Sequence, residues 1–186
     1  MGMALAARRF TVDEYHRMGD AGVLTEDDRV ELIHGQVVEM TPIGDDHLSC
    51  VNRLNTLFAP LAGREATVSV QNPVVLDRHE EPQPDLTLLR YRADGYKARR
   101  PHAEDVLLVI EVADTSLERD RDEKIPLYAQ AGVPEAWLVS LSEDAIHVHR
   151  GPRGGRYTEV RTARRGEVLI PSELSGLALA VDHILG

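Results

Sequence analysis

Apolar and polar positions follow two periods along the chain, and the switches between them mark out its elements. "TVDEYHRMG" predicts a short helix, with Thr11 and Glu14 at capping-box spacing and Gly19 as a stop. "RVELIHGQVVEM" holds two short apolar runs around His34-Gly35 and predicts a β-hairpin with glycine in its turn. "DDHLSCVNRLNTLFAPLAG" is the best amphipathic helix, with Leu48, Val51, Leu54, Phe58 and Leu61 on one face. Asp45 or Asp46 is placed to cap its start, Pro60 to distort its last turn and Gly63 to end it.

"ATVSVQNPVVL" alternates at Val68 and Val70 and predicts a strand, with Pro73 marking an edge or a bulge. "DLTLLRY" and "VLLVIEV" are the next two strands, separated by the polar loop "RADGYKARRPHAE". "TSLERDRDEKIPLYAQAG" predicts a helix opened by Thr115 and Glu118 at capping-box spacing, kinked at Pro126 and ended by Gly132. "EAWLVSL" and "AIHVHR" are further strands, and short strands with a terminal turn or helix close the chain.

From residue 46 the order is therefore α-β-β-β-α-β-β. Strands joined by short turns pair antiparallel, while the unit from 106–112 through a helix to 136–140 is long enough for a right-handed parallel crossover. The expected fold is α/β (α+β), a mixed β-sheet flanked by helices. An N-terminal helix and hairpin (10–42) precede a core (45–150) and C-terminal strands (155–186), in one domain spanning 1–186.

Composition narrows the classes of function. The net charge of −10 argues against a general nucleic-acid coat protein, whose affinity comes from neutralising phosphates. It leaves room for a DNA-acting enzyme with its cations gathered on one side. The arginine-rich "RGPRGGRYTEVRTARR" reads as a solvated hairpin. No run approaches the ~18 apolar residues of a membrane span. "MGMALAARRF" has the wrong order for a secretory signal, and the lone Cys50 makes no intramolecular disulfide, so the expected compartment is the cytoplasm.

The chemistry centres on Glu111, a carboxylate at the end of an apolar strand, where burial costs several kcal/mol unless something positive meets it. Asp85 opens the strand "DLTLL" and Glu111 closes "VLLVIEV". If the two strands are antiparallel neighbours, both acids sit at one sheet margin. Mg²⁺, with Mn²⁺ as a substitute, needs only one or two protein carboxylates, so Asp85 and Glu111 are the candidate metal ligands. On the next helix Asp120, Lys124 and Tyr128 recur every fourth residue, which could aim Lys124 at those acids to counter charge on a phosphate. Singly, each has an ordinary explanation: Asp85 a turn cap, Glu111 a solvated strand end, Lys124 a surface pair with Asp120. Their occurrence together in strand-strand-helix order favours a metal site.

"QPDLTLL" followed by "VIEVADTSLERDRDEKIPLYAQAGVPEAWLV" resembles the widespread bacterial family of "putative restriction endonucleases", part of the PD-(D/E)XK nuclease superfamily. "RVELIHGQVVEMTP" and His47 are similar to its N-terminal pattern. The resemblance implies a restriction-endonuclease-like fold and hydrolysis of DNA phosphodiesters by metal-activated water. Pro84-Asp85 matches the PD and Glu111 the acidic residue. The superfamily's lysine, two residues after the acid, is replaced here by Ala113, and Lys124 on the following helix is its counterpart.

Weaker candidates surround this set. Glu31 resembles a recurrent family acid and could equally form a structural salt bridge. His47 stands at a helix N-terminus, where a helix-end hydrogen bond is the commoner role. Gln71 could contact metal-bound water or pair across the sheet, Tyr128 packs under Lys124, and His147 and His149 read as exposed polar positions. The implied function is a Mg²⁺-dependent endonuclease acting on DNA, with a homodimer formed through the apolar hairpin. The alternative is a nuclease-fold protein of weak or no activity serving as a binding, regulatory or oligomeric component of a defence or mobile-element system.

Overall fold

The computed structural model of the protein describes residues 7–25, 27–61 and 65–186. Helix α1 (Val12–Asp20) starts with the expected capping box: the Glu14 N–H donates to Thr11 Oγ1 at 3.2 Å, and the Thr11 N–H donates to the Glu14 carboxylate at 3.0 Å. It runs past Gly19, and the left-handed residue that follows it is Gly22. Strands β1 (Val30–Ile33) and β2 (Gln36–Glu39) pair antiparallel. His34 and Gly35 both have positive φ, the two-residue turn whose twist suits a hairpin. Gly35 is required twice over, because a Cβ there would meet Arg9 Cβ at 2.7 Å.

Helix α2 (Asp45–Phe58) departs from expectation at its start. Gly44 is the N-cap and makes no side-chain bond; Asp45 and Asp46 lie in the first turn, against the positive end of the helix dipole. The buried face is Cys50, Val51, Leu54 and Phe58, extended by Leu61 on a 3₁₀ turn (Ala59–Leu61) that contains Pro60. Leu48 is 49% exposed, because the helix is rotated so that Cys50 faces the sheet instead. Gly63 lies outside the described residues.

The main sheet contains β3 (Ala66–Val70), β4 (Leu86–Arg90), β5 (Val106–Ala113), β6 (Glu135–Ser140), β7 (Ala145–Arg153) and β8 (Arg156–Arg164), in that spatial order. The β5–β6 pair is parallel and the rest antiparallel, so the fold is mixed α+β. β5 and β6 are buried at every residue, as near-continuous apolar strands covered on both faces must be. One face packs Leu86, Leu108, Ile110 and Trp137 against α2 and the C-terminal helix α5 (Val181–Leu185). The other packs Val109, Ala113 and Leu138 against Ile125 and Tyr128. Two short strands, β9 (Val168–Leu169) and β10 (Leu179–Ala180), form a separate pair before α5.

The β5–β6 crossover is not one kinked helix. It is α3 (Leu117–Arg119), a π-helical turn (Asp120–Lys124) and α4 (Ile125–Gln130). Ser116 rather than Thr115 occupies the N-cap and makes no capping bond. The Ile125 N–H reaches the Asp120 carbonyl, five residues back. Pro126, one residue on, offers no N–H and its ring crowds the carbonyl four residues earlier, so the ladder widens into a π turn. Gly132 follows α4 with φ +78°, as a helix terminator should.

His149 is a further correction. It is 8% exposed, its ring tilted against Tyr157, with Nε2 unpartnered, and burial followed by the nearby His147 pushes its pKa down to about 4. His147 stays nearer the surface, bonded to Glu143 and Thr162. No helix among the described residues is long and apolar enough to cross a membrane.

Candidate active site

Leu86 of β4 pairs with Ile110 of β5, and Thr87 with Val109. Continuing that antiparallel register outward sets Asp85 opposite Glu111, at one end of the sheet and on one face. The Val112 N–H donates to Asp85 Oδ2 at 2.8 Å, fixing the carboxylate to the neighbouring strand. His47, from α2, brings Nε2 to 3.0 Å from the same oxygen, so its partner is Asp85 rather than its own helix end. Beyond the end of β3, Gln71 turns at φ +50° and donates its N–H to the Asp85 carbonyl at 3.0 Å. Its side-chain amide stands 3.4 Å from Asp85 Oδ1.

The π turn delivers Lys124 into this margin, 6% exposed, with Nζ 3.3 Å from Glu111 Oε1 and 3.1 Å from Glu31 Oε2. Lys124 thus bridges two acids from the sheet and the hairpin, not a surface pair with Asp120. Tyr128 does not merely pack beneath it: its hydroxyl donates to Glu111 Oε1 at 2.5 Å. Glu31, on β1, also accepts from Arg119 at 2.9 Å and from the Gln83 N–H at 3.2 Å. The hairpin is anchored here because Leu32 exchanges backbone hydrogen bonds with Glu81. All seven candidate residues therefore meet in one neighbourhood.

Three participants escape a sequence reading of this kind. Asp120 is 6% exposed and accepts from the Ser116 hydroxyl, while Arg119 crosses to Glu31. Gln83 bonds the Gln71 carbonyl at 2.6 Å. Within "SLERDRDEK" the four-residue spacing singles out Lys124, whereas the inward turn of Arg119 and Asp120 depends on the π turn and on the hairpin's return.

Positive charge is short in this space. Four buried carboxylates, Glu31, Asp85, Glu111 and Asp120, share two ion-paired cations, Lys124 and Arg119, and Arg29 also lines the pocket. Burial first, then Asp120 and Asp85, push the Glu111 pKa up to about 8 despite Lys124. Asp120 is raised by burial as well. Burial alone would lower Lys124, but Glu111, Glu31 and Asp120 together hold its ammonium above its ordinary range. The His47 imidazole is raised by its bond to Asp85 against the pull of burial.

These groups line a pocket of about 80 Å³, with the loop 40–44 forming part of its mouth. Its donor chemistry suits a hard divalent cation. Each acid has committed one oxygen: Asp85 Oδ2 to Val112 and His47, Glu111 Oε1 to Tyr128 and Lys124. The remaining Asp85 Oδ1 has only the long Gln71 contact, and no donor among the described residues meets Glu111 Oε2. No cluster of three or more His, Cys, Asp or Glu among the described residues forms an all-protein metal cage. Two carboxylate oxygens, completed by water and substrate, are what Mg²⁺ commonly takes.

No curated protein matches the chain in sequence. A crystal structure described as a putative nuclease belonging to DUF820, from Anabaena variabilis ATCC 29413, superposes with a TM-score of 0.70 at 18% identity. The likeness covers 95% of this chain and 97% of that one, and at such low identity it speaks to the fold alone. The model of the Uma2 family, described as "Putative restriction endonuclease", matches residues 12–182, which include Glu31, Asp85, Glu111 and Lys124. The chain belongs to that family and has its restriction-endonuclease-like fold.

Proposed function

We propose that the protein is a Mg²⁺-dependent endonuclease that hydrolyses DNA phosphodiester bonds, with Asp85 and Glu111 as metal ligands and Lys124 as the cationic group of the site. The observation that carries this reading is the convergence of Asp85 and Glu111 on one sheet margin with the Lys124 ammonium 3.3 Å from Glu111. A bound divalent cation would supply Lewis acidity at the phosphoryl oxygen and lower the pKa of a coordinated water. The chain's own residues do the rest. Val112, His47 and Gln71 fix the Asp85 carboxylate, which lines the pocket. Tyr128 holds Glu111, and Glu31 keeps Lys124 in place and charged. Lys124 then presents positive charge to a phosphate without reorganisation.

Metal-dependent nicking of supercoiled plasmid is the test. Wild type should nick with Mg²⁺ or Mn²⁺ and not with EDTA, and Asp85→Ala should abolish the activity. Nicking that survives Asp85→Ala would assign it elsewhere.

A second reading has one observation in its favour: Lys124 and Tyr128 already satisfy one oxygen of Glu111, so the margin is cohesive without added groups. The protein would then be a binding or regulatory component on a nuclease scaffold. Titration calorimetry separates the two, since only the enzyme requires Mg²⁺ or Mn²⁺ to bind at Asp85 and Glu111. The proposed homodimer would set two such sites on two DNA strands, and sedimentation showing only monomer would remove it.

A further inference from the structure

The six-stranded sheet ends in two edges of different character, β3 and β8. β3 is half-buried and packs against α2 and the 3₁₀ turn that follows it. Among the described residues nothing comparable covers β8: every residue from 158 to 162 is exposed, with Val160 63% exposed at the middle. An open edge strand presents unpaired backbone N–H and C=O groups to any strand that can lie beside it. The hairpin β1–β2 offers a second copy less, because Leu32 and Ile33 are buried against the rest of their own chain.

Charge decides which strand fits. In a chain of net charge −10, β8 carries Arg156, Arg161 and Arg164 against the single acid Glu159. Two copies repel overall, so a contact between them is favoured only where charges cancel. Glu159 stands opposite Arg150 of β7, yet that guanidinium is held by Glu135 at 2.8 Å. Arg161 pairs with Glu167, a contact in which both side chains are exposed.

The register follows from symmetry. A strand paired antiparallel with its own copy is centred on a residue, because residues directly opposite must point to the same sheet face. Centring on 159 sets Glu159 against Glu159, and centring on 161 sets Arg161 against Arg161. Centring on 158 or 162 matches no charges within the strand. Centring on Val160 sets Glu159 of each copy against Arg161 of the other, and Thr158 against Thr162, both favourable cross-strand pairs. The ladder stops at 162, because the Arg164 N–H is already taken by Glu167 at 2.6 Å. The like-charged Arg156 and Arg164 therefore lie outside it.

We infer that the β8 edge is the docking surface for a second copy of this chain, paired antiparallel about a two-fold axis at Val160. This supplies the proposed homodimer with its interface. A ladder over 158–162 is small beside permanent interfaces, so the dimer is concentration-dependent.

Sedimentation equilibrium of the full chain over a concentration series tests it. Glu159→Arg and Arg161→Glu each set like charges opposite one another twice, and each should raise the dimer dissociation constant about tenfold. An equimolar mixture of the two variants matches every charge again and should recover the wild-type constant as a heterodimer. Melting temperatures should not change, since the one ion pair lost is exposed. As a second measurement, Val160→Cys sits on the axis and should oxidise to a covalent dimer. Val168→Cys, similarly exposed at 52% in the native residue, should not. A wild-type constant in both single variants, or a mixture that fails to recover it, would overturn the β8 interface and leave the homodimer to another surface. Wild type that sediments only as monomer would overturn both.

Discussion

Two buried glutamates stand at opposite ends of the same sheet and have opposite surroundings. Glu135, at the start of β6, is fully buried and receives only donors: Trp137 Nε1 at 2.5 Å, Arg150 at 2.8 Å and the Ser172 N–H at 2.7 Å. Glu111, near the end of β5, has two donors, and its lysine is shared with Glu31 while Asp85 and Asp120 crowd the same space. A carboxylate closed off by donors ties elements together. One held among other carboxylates costs the fold and is kept for what it can bind.

The contrast can be broken at either end. The largest effect is expected at Glu135→Ala, which leaves the buried Trp137 N–H without a partner and Arg150 with only the Ile170 carbonyl. It should cost about 3–5 kcal/mol in urea unfolding. At the other end, Lys124→Met should lower plasmid nicking by about 10²–10³-fold, and it also destabilises the fold by leaving Glu31 and Glu111 without their shared cation.

Glu111→Gln sharpens the comparison through its sign. The folded pKa, about 8, lies above the ordinary 4.5. The neutral form is therefore the one the fold favours, and the stability it provides is complete below pH 4.5 and lost as pH rises through 8. Without metal, Glu111→Gln should be more stable than wild type at pH 8, with the difference closing as pH falls toward 4.5, while losing nicking. A loss of stability like that of Glu135→Ala would erase the distinction.

His149 tests the same logic with a base. Its folded pKa of about 4 lies below the ordinary 6.5, so its contribution is complete above pH 6.5 and is lost as pH falls through 4. Wild type should lose on the order of 2–3 kcal/mol between pH 7 and pH 4 that His149→Phe does not. The smallest effect is expected at the exposed Arg165–Asp144 pair, whose removal should leave the melting temperature unchanged.

Much of this is legible in the residues. Strand order follows from apolar runs and turn lengths, and the Asp85–Glu111 meeting follows from one antiparallel register. The unreadable parts have a common cause, in that local pattern is overridden by tertiary contact. Leu48 and Cys50 both fit an apolar face, and only burial in the core beside the Ile184 carbonyl selects Cys50. Thr115 and Ser116 both suit an N-cap, and the hydroxyl of Ser116 is taken by Asp120 instead. The π turn that seats Lys124 needs Pro126, visible in sequence as a breaker but silent about how the helix would yield. Glu31 reaches the site because the hairpin folds back onto Glu81, a contact between distant segments that no local spacing encodes.

The central claim is that Asp85 and Glu111 jointly hold a divalent cation beneath Lys124. A crystal soaked in Mn²⁺ and measured at an anomalous wavelength tests it most directly. The account predicts a peak within coordination distance of Asp85 Oδ1 and Glu111 Oε2, absent in Asp85→Ala. No peak between the two carboxylates at saturating Mn²⁺, with both side chains ordered, would contradict it.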